Sequence, residues 1–427
     1  MLTPTPTKPT VPLHTLTHSI AIAASLPRAS PHRTRRLSDA AAFNLQFSIS
    51  LFFLAGSSAP TPLYALYQAV WGFSPITITA VFGVYALAVL AALLVFGSLS
   101  DHIGRRPMLL VTTMAEVIAM VIFATARGVG ALAAARIVQG LATGAAAGAV
   151  GAGMIDLDRV KGTIANAVGP MIGTATGAIL SGLMVVFLPA PTRLVYLFLA
   201  AIFVLQAIGV TAMRESATRR PGALAALRPR FQLPPAVRMP MLLAIPALVA
   251  SWALIGFYGS LGPSLVKRLI GSTSPALGGL AYFVLASSGA FAVLLTRQRS
   301  PRLQTILGTS AMLVGVGLML VATTQAAVGL LFVGTAVAGA GFGCSFQGAV
   351  RSIVTMAGAQ QRAGVLSVVY VVAYLAMGLP AILAGVRVVH GGGLLTASRE
   401  LELVVMTLAA IALVGTFALR PPTEPTS

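Results

Sequence analysis

The chain contains 427 residues, of which 57% are hydrophobic and 9% are charged, and its mean hydropathy is +0.91. About a quarter of the residues of an ordinary soluble domain carry charge, so this composition excludes that class and indicates a membrane protein. The formal net charge of +19 would suggest nucleic acid as the partner of a soluble chain, but basic residues between membrane segments report orientation, and no nucleic-acid partner is expected. The apolar runs are long and do not alternate with polar residues, which favours spanning helices over barrel strands.

Residues 1–38 form a polar segment before the first apolar run. They contain six prolines, many Ser and Thr, and four arginines near their end, a composition typical of a disordered tail. Twelve apolar stretches of helical length follow, and a polar interval divides them six and six. The predicted spans are residues 40–59, 76–99, 108–126, 129–154, 163–189, 194–213, 240–265, 276–296, 303–322, 326–350, 364–387 and 401–419.

These spans predict an all-α membrane protein with twelve transmembrane helices in two six-helix halves. The N-terminal half covers residues 39–213, a cytoplasmic linker covers 214–239, the C-terminal half covers 240–420, and residues 421–427 form a second cytoplasmic tail. When the spans alternate in direction, 21 of the 28 Lys and Arg residues fall on the side of the two tails and six fall on the other side. The positive-inside rule then places both termini in the cytoplasm of a multi-pass protein, which we expect in a bacterial inner membrane.

The turn between the second and third spans, GSLSDHIGRRPM, concentrates charge that is scarce elsewhere. Its glycines permit a tight turn and a close approach of helices. We expect the Asp101 carboxylate to accept hydrogen bonds from the amides that begin the third span, where the helix dipole favours an anion. The residues of the pattern are Gly97, Leu99, Asp101, Gly104, Arg105 and Arg106. Their spacing resembles the G-x-L-x-D-x-x-G-R-[KR] signature of the major facilitator superfamily.

This resemblance implies the fold of that superfamily around a central cavity, transport by alternating access, and a conformational latch at the turn. In the latch, Asp101 and Arg105 join an acidic residue at the cytoplasmic end of the fourth span and hold the halves together when the transporter is open outward. Asp156 is the expected third member, and Asp158 is the alternative. A purely topogenic role for Arg105 and Arg106 stays open, although it would require neither the aspartate nor the glycines. The matching turn of the second half, LLTRQRSPRL, lacks the aspartate, so the latch is one-sided.

The fourth span extends the resemblance. Arg136, Gln139 and Gly140 resemble the R-x-x-Q-G pattern that this span carries in the superfamily. Arg136 is the only basic residue in the interior of a predicted span, and an arginine at mid-membrane costs at least about 2.5 kcal/mol. We therefore expect it to face a wet cavity or an acid, and an arginine that snorkels to the outer interface is the alternative.

The fifth span carries ANAVGPMIGT, which resembles the G-x-x-x-G-P-x-x-G-G element of the antiporters of the superfamily. Gly169, Pro170 and Gly173 match that element, whereas Ala165 and Thr174 stand where glycines are expected. The resemblance implies antiport and helix packing through small residues.

The energy source is predicted to be an ion gradient. No phosphate-binding loop of the G-x-x-x-x-G-K-[ST] type occurs in the sequence, and no cofactor is predicted. Of nine acidic residues, Glu116 is the one predicted near the middle of a span, where an apolar environment favours the neutral acid that a proton carrier requires. We therefore predict that Glu116 binds the coupled proton, in competition with Arg136 for its charge. A structural hydrogen-bonding role is the alternative.

The resemblance also places a substrate cavity between the two halves. Polar and aromatic candidates for its lining are Asn44, Gln46, Gln139, Thr143, Trp252, Tyr258, Gln347, Tyr370 and Tyr374. Aromatic residues with few charges suit a hydrophobic or cationic organic molecule, through stacking and cation–π contacts. The same residue types also occur in interfacial belts and helix packing.

We expect a secondary active transporter, namely a proton-coupled exporter of small hydrophobic or cationic compounds that works as a monomer in the lipid bilayer. A proton-coupled importer of a metabolite is the alternative within the same fold. A polytopic membrane enzyme or receptor is less favoured, because the sequence shows no cluster of His, Asp, Glu and Cys that would indicate catalysis. Neither an enzyme activity nor a bound metal is predicted.

Overall fold

The protein is described by a computed structural model that covers residues 36–218, 220–229, 233–271, 275–358 and 361–418. The two predicted tails therefore lie outside the described residues, apart from residues 36–38.

Within these ranges the chain forms helices and no strands. The long helices are α1 (Asp39–Ser58), α2 (Pro75–Phe96), α3 (Arg105–Ala124), α4 (Val129–Leu157), α5 (Arg159–Phe187), α6 (Pro191–Thr211), α7 (Pro235–Ser260), α8 (Pro275–Thr296), α9 (Pro301–Gln325), α10 (Val328–Thr355), α11 (Arg362–His390) and α12 (Gly393–Ala418). All twelve are long and apolar enough to cross a membrane, which confirms the predicted fold class.

Proline and serine residues set the beginnings of many helices. Pro75, Pro191, Pro235 and Pro301 lie in the first turns of α2, α6, α7 and α9, where the missing N–H group leaves no hydrogen bond broken. The side chain of Ser38 accepts a hydrogen bond from the first turn of α1 at 3.3 Å. The apolar runs alone placed these five starts later, at residues 40, 76, 194, 240 and 303.

The seventh span differs from its predicted bounds of 240–265. It begins at Pro235, inside the interval predicted as linker, and ends at Ser260. A second helix, Gly262–Ile270, follows at once, with Pro263 in its first turn. Hydropathy alone does not separate the two helices, because the residues on both sides of the break are mostly apolar.

The first six helices meet the last six mainly through two helix pairs, α5 with α8 and α2 with α11. Small residues lie at both contacts. Gly279 of α8 faces the backbone of Ala178 on α5, and Gly83 of α2 faces Ile382 of α11. We call the end of the bundle that carries the α2–α3 turn the basic end. These contacts lie between the middle of the bundle and the end opposite the basic end.

The fifth helix packs on α1 through small residues. Gly169, Gly173 and Gly177 repeat every four residues on one face of α5, and a Cβ atom on Gly173 would overlap the backbone of Leu51 on α1. Pro170 lies inside the same helix. The structure thus brings the predicted small residues to one helix contact and adds Gly177 to them.

Candidate functional site

A buried carboxyl group lies at the contact between α3 and α4. Glu116 of α3 is 0% exposed. One of its carboxyl oxygens accepts a hydrogen bond from Oγ1 of Thr143 on α4 at 2.9 Å, and the other has no hydrogen-bond partner among the described residues. Burying a carboxylate with a single hydrogen bond would be costly, so this position suits a neutral carboxylic acid.

Arg136 of α4 is also fully buried, and it hydrogen-bonds only to neutral groups. Its guanidinium donates to the hydroxyl of Tyr64 at 3.0 and 2.7 Å, to the carbonyl of Ser57 at 2.8 Å and to Oε1 of Gln139 at 2.8 Å. It also lies 5.0 Å from the ring centroid of Tyr85. No carboxylate in the described ranges lies within ion-pair distance of it. The guanidinium is therefore held inside the protein and does not reach the membrane surface.

Gln139 stands between the two buried groups. Arg136, Gln139 and Thr143 are spaced by three and four residues along α4 and share the face that meets Glu116. The side chain of Gln139 approaches the Glu116 carboxyl without forming a hydrogen bond of good geometry. Gln139 thus lies between Glu116 and Arg136 and hydrogen-bonds to Arg136 alone, and the competition of the two groups for charge stays a prediction.

The signature turn at the basic end places Arg105 between two carboxylates. Its guanidinium lies 2.5 Å from Asp101, 3.5 Å from Asp156 and 2.6 Å from the hydroxyl of Ser100. The side chain of Arg105 is 11% exposed, whereas those of the two aspartates are 44% and 37% exposed, so the cluster lies at the protein surface. All its members belong to the first six helices and their loops. Among the described residues, no ion pair joins it to the last six helices.

Positions 97 and 104 of the signature turn are each occupied by glycine for a different structural reason. Gly104 has a φ of 106° and a ψ of 154°, a region that essentially only glycine adopts. This conformation separates the short helix Ser100–Ile103 from α3. Gly97 follows α2, and a Cβ atom there would overlap the carbonyl of Leu93, while the Gly97 carbonyl itself packs closely against Gly148 of α4.

The amides that begin α3 are capped by Glu215, so the prediction that Asp101 caps them is wrong. The N–H groups of Arg105 and Arg106 donate to the two carboxyl oxygens of Glu215 at 2.8 and 3.1 Å. Asp101 lies in the short helix before the turn and instead pairs with Arg105. Sequence reasoning missed Glu215 because it follows α6 and lies 110 positions away from Arg105.

Asp158, the alternative third member of the latch, instead caps α5. Its carboxylate accepts hydrogen bonds from the amides of Val160 and Lys161 at 3.1 and 2.9 Å and lies 3.3 Å from Nζ of Lys161. The hydrogen bond from the Lys161 amide is the main reason that the pKa of Asp158 lies below its ordinary value. Asp156 is therefore the acid of this region that contacts Arg105.

An aromatic group on α7, α10 and α11 adjoins the core between the halves. The ring of Trp252 lies 4.9 Å from that of Tyr374 and 5.4 Å from that of Phe346, measured between centroids, and Tyr370 lies 6.4 Å from Tyr374. The indole Nε1 of Trp252 is buried and has no hydrogen-bond partner among the described residues. The structure thus brings three predicted residues together and adds Phe346, which the sequence did not single out.

The remaining predicted cavity residues do not form one group. Asn44 is exposed, Gln347 is half-buried, and Gln46 is buried with neither polar atom of its side-chain amide hydrogen-bonded to a described residue. Tyr258 is 1% exposed, and its hydroxyl lies 2.5 Å from Oγ1 of Thr335 on α10. We therefore leave Tyr258 out of the proposed substrate contacts.

A second buried carboxyl group, Glu402 of α12, was missed from the sequence. It is 3% exposed and accepts a hydrogen bond from Oγ1 of Thr323 on α9 at 3.2 Å, and Arg399 donates to the Thr323 carbonyl at 2.7 Å. The predicted twelfth span, 401–419, put Glu402 at its edge, whereas α12 begins at Gly393 and places Glu402 well inside the helix. The signal available was the spacing of Arg399 and Glu402 by three residues, which puts both on one helix face.

Comparison with known proteins identifies the family. The model of the Major Facilitator Superfamily matches residues 47–379, and the chain belongs to this superfamily. A crystal structure of the human organic anion transporter MFSD10 (TETRAN) is similar, with 18% identity and a TM-score of 0.63 over 90% of this chain and 100% of that one. A mutant of the nucleoside transporter NupG is also similar, with 13% identity and a TM-score of 0.66 over 88% of this chain and 98% of that one. The fold and the family define a secondary transporter of the membrane and not an enzyme.

Proposed function

We propose that the protein is a proton-coupled antiporter that exports small hydrophobic or cationic organic compounds by alternating access. The observation that carries this proposal is the Glu116 carboxyl, which is fully buried in α3 with one oxygen free of hydrogen-bond partners among the described residues. Ionisable groups within membrane spans are costly and are typical of proton and ion pathways. Gly169 and Gly173 pack α5 against α1, and Pro170 lies in the same helix. The resemblance of these three residues to the antiporter element of the superfamily supports antiport.

The arrangement around Glu116 suits a group that binds and releases a proton. The neutral acid is compatible with the buried position between α3 and α4, whereas the carboxylate requires water or a closer cation. Arg136 can supply that cation once its hydrogen bond to Gln139 breaks, because Gln139 lies between the guanidinium and the Glu116 carboxyl. One proton that crosses about 100 mV supplies roughly 2.3 kcal/mol, enough for about 50-fold accumulation of a solute.

The aromatic group supports the proposed substrate class. Trp252, Phe346 and Tyr374 offer ring faces, and among the described residues no cation–π contact occupies the ring of Trp252 or Tyr374. Neutral rings hold apolar and cationic molecules through stacking and cation–π attraction, and they supply no counter-charge for an anion. Asn44, Gln46 and Gln347 add polar groups on α1 and α10 that can orient the molecule.

The cluster around Arg105 is proposed as the latch of the outward-facing conformation. The units that rock are residues 39–213 and 235–420, the second of which starts with α7 at Pro235, and the basic end closes when this second unit approaches the cluster. We place the basic end in the cytoplasm, with both termini, on the basis of the positive-inside rule. The proposed setting is a bacterial inner membrane, in which the protein works as a monomer.

Direction and energy source are tested with inverted membrane vesicles that contain the protein. When the vesicle interior is made acidic, we expect the cationic dye ethidium to accumulate inside, because protons leave as the dye enters. Collapse of the pH gradient with a protonophore should release the dye. Uptake no faster than in vesicles without the protein would contradict export, and dye that is driven outward would indicate an importer.

The substrate contacts are tested by fluorescence, because the chain has two tryptophans, Trp71 and Trp252. In a Trp71→Phe background, we expect tetraphenylphosphonium to quench the emission of Trp252 in a saturable manner. The Tyr374→Ala change should weaken binding by about 1 to 2 kcal/mol, or roughly five- to thirtyfold in Kd, because one ring face is lost. Phe291→Ala is the control, since Phe291 is 63% exposed on α8. Equal Kd values for all variants would contradict the proposed contact.

A further inference from the structure

The chain that follows α6 is bonded to the signature turn. The carbonyl of Thr211 at the end of α6 accepts a hydrogen bond from the Arg106 side chain at 2.5 Å. Four residues later, Glu215 accepts the hydrogen bonds from the amides of Arg105 and Arg106. The same carboxylate accepts a third bond, from the amide of Ala217, at 3.1 Å. The linker therefore begins as a part of the surface of the first six helices.

The contacts continue as far as the short helix Ala223–Ala226. Nδ1 of His102 lies 3.2 and 3.1 Å from the carbonyls of Arg220 and Pro221, and the hydroxyl of Ser98 donates at 3.4 Å to the last carbonyl of the short helix. Ala226 itself is buried, with 6% of its surface exposed. Both His102 and Ser98 belong to the signature turn, so the turn contacts the linker at several points between residues 215 and 226.

This docking shortens the tether between the two halves. Eight residues separate Ala226 from Pro235, where α7 begins, and fully extended they reach roughly 30 Å. Without the contacts, 23 residues separate Thr211 from Pro235 and reach roughly 80 Å. A released linker would place no limit on the rocking of the halves, whereas a docked linker limits how far they separate.

We propose that Glu215 pins the linker to the signature turn and thereby limits how far the halves separate at the basic end. Hydrogen bonds to an ionised acceptor are about twice as strong as neutral ones, and Glu215 accepts two of them from the start of α3. Gly104 makes room for this contact, because a Cβ atom there would lie 2.9 Å from the carboxyl carbon of Glu215. Glu215 is a positioning residue, since it acts through the turn and the linker and touches no substrate. The inference rests on the proposed alternating access but on neither Glu116 nor any substrate.

The test measures distances across the basic end in the full-length protein in nanodiscs. Cys344 is the only cysteine and is replaced by Ala, and spin labels are attached after Val160→Cys and Met356→Cys changes. These two residues are 71% and 49% exposed, at the start of α5 and just after α10. We expect Glu215→Gln, which removes the charge and one of the two acceptors, to broaden the distance distribution and add a longer-distance population. Glu215→Asp, which keeps the charge, should restore the narrow distribution in part.

A control variant at the opposite end of the bundle and an insertion in the linker complete the test. Glu400→Gln also breaks a surface ion pair, that of Arg387 and Glu400, but at the opposite end, and should leave the distances unchanged. Insertion of ten Gly and Ser residues after Arg228 lengthens the tether without touching Glu215 and should reproduce the broadening of Glu215→Gln, even if that variant folds poorly. Wild-type distances in the insertion variant would overturn the proposal, as would wild-type distances in a folded Glu215→Gln variant. Because the distances are measured without a pH gradient or a substrate, their outcome is independent of the proposed proton coupling.

Discussion

Glu116→Gln is expected to abolish proton-driven accumulation of substrate while leaving downhill exchange in place. Glutamine has nearly the same shape as the protonated acid and keeps the oxygen that accepts the Thr143 hydrogen bond, but it cannot bind and release a proton. Accumulation driven by about 100 mV should therefore fall from about 50-fold to none. Proteoliposomes with an imposed proton gradient measure the accumulation, and counterflow of labelled substrate without a gradient measures the exchange.

Glu402→Gln is the matched control for this change. Glu402 is also a buried carboxyl within a span and also accepts a hydrogen bond from a threonine, Thr323, but it lies at the contact of α9 and α12. Its replacement should leave accumulation intact. If Glu116→Gln protein still accumulates substrate, or if Glu402→Gln protein loses accumulation in its place, then Glu116 is not the coupling site.

Arg136→Met should eliminate transport and also lower the stability of the protein. Methionine fills much of the space, but the carbonyl of Ser57, the Tyr64 hydroxyl and Oε1 of Gln139 lose their donor inside the membrane. An unpaired buried polar group costs about 1 to 3 kcal/mol, so the free energy of unfolding should fall by roughly 3 to 5 kcal/mol. Thermal unfolding in lipid nanodiscs measures the stability, and vesicle transport measures the activity.

A further variant separates the role of the Arg136 charge from that of the planar guanidinium, and a second variant is the control. Arg136→Lys keeps the charge but cannot serve three acceptors in one plane, so we expect an intermediate loss of stability and of transport. Arg127→Met removes an exposed arginine from the loop before α4 and should change neither. Transport by Arg136→Met at the wild-type rate would contradict a functional role for the buried arginine.

The helices could be predicted from the sequence because each depends on local properties. A run of about twenty apolar residues suffices to indicate a span, and prolines such as Pro75 and Pro191 mark where helices begin. The bounds were wrong at the end of α7, where the break before Gly262 interrupts the helix but not the hydropathy, and at the start of α12, where the polar residues after Gly393 hide a helix that the apolar run does not cover.

The side-chain partners at the sites could be predicted only in part. The contacts of Arg105 with Asp101 and Asp156 follow from the resemblance. The contacts of Arg136 with Tyr64 and of Arg105 with Glu215 join residues 72 and 110 positions apart, and no spacing rule in one sequence specifies such pairs. Buried polar groups take whichever partner the packing of helices brings near, so these contacts required the three-dimensional structure.

Proton movement during substrate transport tests the account most directly. Purified protein is reconstituted into liposomes that enclose the pH indicator pyranine, and tetraphenylphosphonium is then added outside without an imposed gradient. We predict that the cation enters while protons leave, so that the interior becomes more alkaline, and that the Glu116→Gln protein exchanges the cation without any change in pH. Transport by the wild-type protein with no change in interior pH, or with protons that enter together with the cation, would contradict the account.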